Sequence, residues 1–151
     1  SVAFDAAASV NEGPNSDGSL LVSLTTTGSN RGLVACAAIA DALSSGSVVS
    51  TFKYAAVDLA SEGSADAGSP IADLRSLIAP ASGANDLAVV LTGVIWGLAV
   101  GGVSFTGVNQ TDMFSAAVTA TGTSTTASVA VTTPAPGIVE RIKAGWQAMT
   151  K

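Results

Sequence analysis

Between Asp86 and Asp112 the chain carries no charged residue, and residues 87–111, LAVVLTGVIWGLAVGGVSFTGVNQT, are its most hydrophobic part. A membrane span is the first reading to weigh. Leu87 to Phe105 is about the length that crosses a bilayer, and Gly93, Gly97 and Gly101 repeat the small-residue spacing of packed transmembrane helices. However, no basic cluster flanks either end to set an orientation, and Val, Ile, Thr and Gly suit strands better than helices. Thr92-Gly93 also divides the stretch into two pieces of strand length. In the first, Leu87, Val89 and Leu91 fall on one face and Ala88 and Val90 on the other; residues 96–105 form the second. Two adjacent strands at the centre of a sandwich give this almost continuous apolar run.

The rest of the chain agrees with that reading. Its 151 residues suit one domain with a real core. Ala, Ser, Thr, Gly and Val make up well over half of it, as expected of short, closely packed strands with Ser and Thr on the wet face. Residues 2–4 read as a short opening strand and 5–10 as a turn of helix or an extended arm. Turn chemistry fills 11–19, NEGPNSDGS. Residues 20–26 alternate, with Leu20, Val22 and Leu24 inward and Ser23 and Thr25 outward. After a turn, 33–41 is apolar on both faces, as in a central strand, and 43–46 is a turn. Residues 48–53 and 57–60 read as paired strands joined through Tyr54-Ala55-Ala56. The polar, Gly- and Ser-rich 61–70 reads as a mobile surface loop. Residues 71–78 fit a helix face through Ile71, Leu74, Leu77 and Ile78, or a strand with Ala72, Leu74, Ser76 and Ile78 on one side. A turn at 80–85 precedes the two central strands, and 106–114 is a loop. Residues 116–120 and 127–131 alternate across TGTSTT, a hairpin pattern.

Strands of this length, with turn signals about every 8–12 residues, predict an all-β fold, an antiparallel β-sandwich of eight or nine strands, jelly-roll or immunoglobulin-like. Pro134 and Pro136 end the sheet pattern. Beyond them Ile138, Ile142, Trp146 and Met149 recur at helical spacing, with Glu140, Arg141, Lys143 and Gln147 on the other face. The expected organisation is a sandwich over 1–133 and a C-terminal helix or arm over 134–151. That tail either closes off the sandwich or docks on a neighbour, with Trp146 beside Arg141 and Lys143 as the interface anchor.

Composition also limits the chemistry. Charged residues are 11% of the chain and net charge is −5, against a phosphate-binding protein with clustered Lys and Arg. There is no histidine, which removes Ser-His-Asp and Cys-His catalysis and most zinc sites. The single cysteine, Cys36, lies in the apolar run LVACAAIA and is expected to be a buried, inert thiol in a chain folded in a reducing cytoplasm. The N-terminus, SVAFDAAASV, lacks the basic and apolar regions of a signal peptide. The carboxylates are mostly single, with no marked pair for glycoside hydrolysis. Asn11, Glu12, Asn15 and Asp17 gather oxygens, but not at the spacing of a calcium loop. Phe52 and Tyr54 share a strand face, and core packing accounts for them and for Trp96 better than a sugar platform. No catalytic residue, cofactor or metal is expected.

Four segments, GSNRGLVACAAIAD (28–41), VVSTFKYAAVDLASEG (48–63), ADLRSLIAPASGANDLAVVLTG (72–93) and GGVSFTGVNQTDMF (101–114) followed by GTSTTASVAVTT, together resemble a β-sandwich domain of bacteriophage structural proteins that also occurs in some bacterial surface proteins. GSNR and SFTGVNQT are its most distinctive pieces. The chain departs from the pattern at Tyr54-Ala55-Ala56, where the family has Tyr-Gly-Gly, and at residues 74–77, where an aromatic strand is replaced by LRSL. The resemblance implies a non-enzymatic virion protein, a capsid decoration or cement protein, made in the host cytoplasm and bound to the outer surface of a phage head. Its partner would be the major capsid protein and, in a homotrimer, other copies of itself, with neither nucleic acid nor membrane involved. Ile138, Arg141, Ile142, Lys143, Trp146 and Met149 are the expected capsid or subunit contacts. The alternative is a carbohydrate- or host-surface-binding module of a phage fibre or tail.

Overall fold

A computed structural model describes residues 1–14, 17–41, 48–66, 71–93, 95–114 and 130. Nine strands occur among them: β1 (Ala3–Glu12), β2 (Ser19–Thr26), β3 (Gly32–Asp41), β4 (Val48–Tyr54), β5 (Val57–Asp58), β6 (Ala60–Asp66), β7 (Ile71–Ile78), β8 (Gly83–Thr92) and β9 (Ile95–Thr106). The described residues contain no helix. Five strands form one sheet in the order β1-β9-β3-β7-β6, and four form a second in the order β2-β8-β4-β5. Every neighbouring pair is antiparallel, and the two sheets enclose one apolar cluster. This is the expected antiparallel β-sandwich.

The charge-free stretch supplies one interior strand to each sheet. β8 lies between β2 and β4, and β9 between β1 and β3. Gly93, with φ of +107°, lies between them where the chain passes from one sheet to the other. Interior strands bond on both edges and face the core on one side, so an unpaired charge is costly at their inward positions. Leu87, Val89 and Leu91 of β8 are buried as their alternation predicts, and across the core they meet Leu33, Ala35, Ala37 and Ile39 of β3 and Leu98 and Val100 of β9. Gly102 takes an inward position on β9. A Cβ there would stand 2.9 Å from Cδ2 of Leu87 and 3.4 Å from Cδ2 of Leu24, so this glycine sets how closely the sheets approach.

Three expectations change. Residues 5–10 are neither helix nor arm: they belong to β1, whose partner β9 lies about ninety positions away in sequence. Of the expected loop 61–70, residues 61–66 belong instead to edge strand β6, whose polar sequence is tolerated because it pairs with β7 at the rim of the larger sheet. Residues 71–78 resolve as strand, with Ala72, Leu74, Ser76 and Ile78 on the outer side, opposite β3 positions that point away from the core. The tail 134–151, the hairpin 116–131 apart from residue 130, and the turn 43–46 lie outside the described residues, as does the boundary at 133.

Candidate interaction surface

At one end of the sandwich three separate pieces of sequence tie into one hydrogen-bonded knot. Residues 26–31 run out of the end of β2, 79–83 lead into the start of β8, and 107–110 follow β9. Asn30 and Gly28 adopt positive φ, +51° and +67°, which turns the chain back on itself. The Arg31 guanidinium donates to the Pro80 carbonyl at 2.8 Å and to the Gly28 carbonyl. The Arg31 carbonyl accepts from the Ala79 amide at 3.0 Å and from Gln110 Nε2 at 3.1 Å. Val108 N donates to the Asn30 carbonyl at 2.8 Å, and Thr26 Oγ1 to the Ala81 carbonyl at 2.6 Å. The Arg31 side chain of GSNR and the Asn109 and Gln110 side chains of SFTGVNQT therefore satisfy backbone groups at the chain reversals. Arg31 directs its charge at carbonyls of this chain.

Asp5 anchors β1 to the same end. Its carboxylate accepts from the Thr27 hydroxyl, from the Thr27 amide at 2.8 Å and from Ser104 Oγ at 2.8 Å. The bond from the Thr27 hydroxyl, then the Thr27 amide, hold the Asp5 carboxyl below the usual carboxylate range. Tyr54 is fully buried in the core beneath the knot, and its hydroxyl donates to the Leu24 carbonyl at 2.8 Å. Phe52 is buried beside it, so this pair packs the core as expected.

Most other described titratable groups have partners within the chain. Asp17 accepts from the Ser19 hydroxyl at 2.8 Å and amide at 2.9 Å, which lower its pKa. Lys53 pairs with Asp58 at 2.9 Å. Asp73 and Arg75, neighbours on the inner side of β7, form a two-point ion pair, with Nη2 to Oδ2 at 3.0 Å. The hydrogen bond to Asp73 raises the Arg75 pKa. Ser76 Oγ donates to Glu62. Among the described residues no three His, Cys, Asp or Glu side chains gather as metal ligands, and no buried side-chain nitrogen or oxygen lacks a hydrogen-bond partner. Of the oxygen-rich group at 11–17, Asn11 and Glu12 end β1, Asp17 is held by Ser19, and Asn15 is outside the described residues.

What remains is a surface. The outer face of the five-stranded sheet is built in cross-strand rows. Ala7, Val103, Val34 and Ser76 form one row; Ser9, Gly101, Cys36 and Leu74 the next; Asn11, Ala99, Ala38 and Ala72 the third. None of these residues is charged. Around Ser9, Cys36 and Gly101 the small side chains leave an open depression of about 530 Å³, and a smaller one of about 280 Å³ continues past Ala38 and Ala99.

Two expectations are corrected on this sheet. Cys36 is exposed, not buried, because it has the outward parity of β3 while Ala35 and Ala37 face the core. Its partial burial among neighbouring groups, then the Asp73 charge, raise the thiol pKa. Trp96 does not pack in the core. The β3–β9 register skips it between Gly97 and Ile95, and this bulge leaves its side chain 64% exposed. At the other end of the sheet Phe4 is 65% exposed. An unpaired bulge residue gives no signal in an apolar run, so the alternation alone did not find Trp96.

The expected contacts Ile138, Arg141, Ile142, Lys143, Trp146 and Met149 lie outside the described residues. No helix among the described residues is long and apolar enough to cross a membrane. Comparison with protein-family models, with curated proteins and with solved structures finds no match to this chain.

Proposed function

We propose that this chain is a non-enzymatic structural protein of a bacteriophage particle, a decoration or cement protein that binds the outer surface of the head. The observation that carries the reading is the knot. The segments on which the resemblance to phage structural sandwiches rests, GSNR and SFTGVNQT, bond to each other, so they behave as one structural unit rather than as scattered matches. The assignment from sandwich to function is by analogy with that family. Under this reading the major capsid protein is the partner. The tail residues Ile138, Ile142, Trp146 and Met149, flanked by Arg141 and Lys143, supply apolar and cationic contacts, and the acidic balance of the chain, −5 overall, keeps coated particles apart in solution.

The test is quantitative mass spectrometry of purified particles from a phage that encodes the chain, with copy number taken relative to the major capsid protein. Copies in the hundreds per head support a decoration role. A few copies per particle place the chain on a fibre or tail instead. Absence from particles removes the virion reading. The second reading, a carbohydrate-binding module, draws on the exposed Trp96, because an exposed aromatic ring can stack on a sugar. Glycan binding that is lost in Trp96→Ala is its test.

A further inference from the structure

A sheet edge that is long, straight and uncharged pairs readily with another strand, and folded proteins blunt such edges with bulges, charges or short strands. Among the described strands the edges are β1 and β6 of the larger sheet and β2 and β5 of the smaller. Three of them are blunted. β1 bulges at Asp5 and carries that charge, β6 shifts register between Ser61 and Gly63 and carries Glu62, and β5 is two residues long. β2 has no such device. It runs over Ser19–Thr26 without charge, proline or bulge, in unbroken register with β8. Leu21 on its outer side is 64% exposed, and Leu20 and Val22 on its inner side are only partly buried.

The backbone of this edge is closed at both ends and open between them. The Leu91 amide donates to the Gly18 carbonyl at 2.7 Å, one step beyond the Ser19–Val90 pair. Antiparallel bonding alternates, so residues 20, 22, 24 and 26 bond to β8, while 19, 21, 23, 25 and 27 point to the open edge. The Ser19 amide donates to the Asp17 carboxylate at 2.9 Å, and the Thr27 amide to Asp5 at 2.8 Å. The amides and carbonyls of Leu21, Ser23 and Thr25 have no partner among the described residues.

We propose that β2 is a self-association edge, which pairs antiparallel with β2 of a second copy about a two-fold axis at Ser23. The open groups are symmetric about that residue. With Ser23 opposite Ser23 and Leu21 opposite Thr25 of the other copy, every open amide meets an open carbonyl, and the pairing stops where the carboxylate caps begin. The side chains agree, since Leu21 meets Thr25 on the outer side and Val22 meets Leu24 on the inner side, with no charge in either row. The two smaller sheets become one. A contact between two strands is short of the roughly 800 Å² per partner of a stable complex, so the dimer is reversible.

Sedimentation velocity of the full-length chain from about 10 µM to about 1 mM should show a monomer–dimer equilibrium. Two copies of net charge −5 repel each other, so added salt should tighten it. Ser23→Pro removes an amide that the fold does not use and places a ring at the centre of the contact. It should weaken association about tenfold or more, with the urea midpoint of the monomer little changed. Cross-linking does not rely on that variant folding. In a Cys36→Ser background, Ser23→Cys should oxidise to a disulfide-linked dimer, because facing residues of a hydrogen-bonded pair lie about 5.5 Å apart at Cα. Leu21→Cys should not, because four residues along the strand put it about 14 Å from its own counterpart. A monomer at every concentration, a dimer indifferent to Ser23→Pro, association weakened by salt, or equal cross-linking at 21 and 23 overturns the proposal. So does a trimer, whose head-to-tail contacts cannot pair a strand with itself. The inference does not depend on the phage reading, and none of these results bears on copy number in a particle.

Discussion

Ala56→Gly should stabilise the protein, and the reason lies in the turn between β4 and β5. The hairpin pairs Tyr54 with Val57, which leaves Ala55 and Ala56 as a two-residue turn with φ of +50° and +66°. Positive φ at both central residues is the geometry of a type I′ turn, which favours Gly and Asn. An L-residue with a Cβ is about 1–2 kcal/mol less stable there than in its ordinary basins. Glycine removes that strain but gives back about 0.4–1 kcal/mol through the greater entropy of the unfolded chain. Ala56 is exposed, so little packing is lost with its methyl. The net gain is about 0.5–1 kcal/mol, which at ordinary denaturant sensitivity raises the urea midpoint by about 0.3–0.5 M. Ala55 is half-buried against the core, and its amide donates to the Asp86 carbonyl at 3.1 Å. Ala55→Gly therefore gains less, because it loses contacts as it relieves strain. Ala56→Val, with a branched Cβ, should lower the midpoint. The assay is equilibrium urea unfolding followed by tryptophan fluorescence and by circular dichroism. A lower midpoint in Ala56→Gly, or an unchanged one in Ala56→Val, would refute the strained-turn argument.

Other perturbations test the core and the knot. Tyr54→Phe leaves the buried Leu24 carbonyl without its donor and should cost about 1–3 kcal/mol in the same unfolding assay. Arg31→Ala removes the donors to the Pro80 and Gly28 carbonyls and should cost a similar amount, with Arg31→Lys recovering only part of it because one ammonium does not replace a two-pronged guanidinium. Asp5 has a folded-state pKa below its unfolded value, so its contribution is complete above the ordinary carboxylate pKa of about 3.9 and is lost as pH falls through the depressed one. Asp5→Asn should accordingly flatten the acid limb of the stability–pH curve, as read from urea midpoints between neutral and strongly acidic pH. Gly102→Val forces a branched side chain against Leu87 and Leu24 and should cost about 1–3 kcal/mol, measured as a fall in the unfolding midpoint.

Much of the sandwich was legible because strand periodicity is local. The alternation of 20–26 and 87–92 assigned the inward residues of β2 and β8 correctly. Turn residues marked the breaks at 27–31 and 93, and Tyr54-Ala55-Ala56 marked the hairpin. Phe52 and Tyr54 were placed on one face two residues apart, and both are buried. The chemically ambitious readings found no site among the described residues because their polar groups are used within the fold: Asp17 on Ser19, Asp5 on Thr27 and Ser104, and Arg31 on carbonyls.

The sequence by itself determined that this chain is all-β and packs closely, since period-two patterning and small β-favouring residues act along a few consecutive positions. Tertiary structure alone decided which sheet receives each strand and which side of an all-apolar strand faces water. β8 and β9 are consecutive yet belong to different sheets. β1 exists as a full strand because β9 pairs with it, and β6 because β7 does. LVACAAIA has no polar side to mark the outside, so only the second sheet, lying over Leu33, Ala35, Ala37 and Ile39, turned Cys36 outward. A one-residue bulge likewise put Trp96 in solvent. Burial in a sandwich depends on what lies about 10 Å across the core, and that distance is bridged by pairings between residues far apart in the chain.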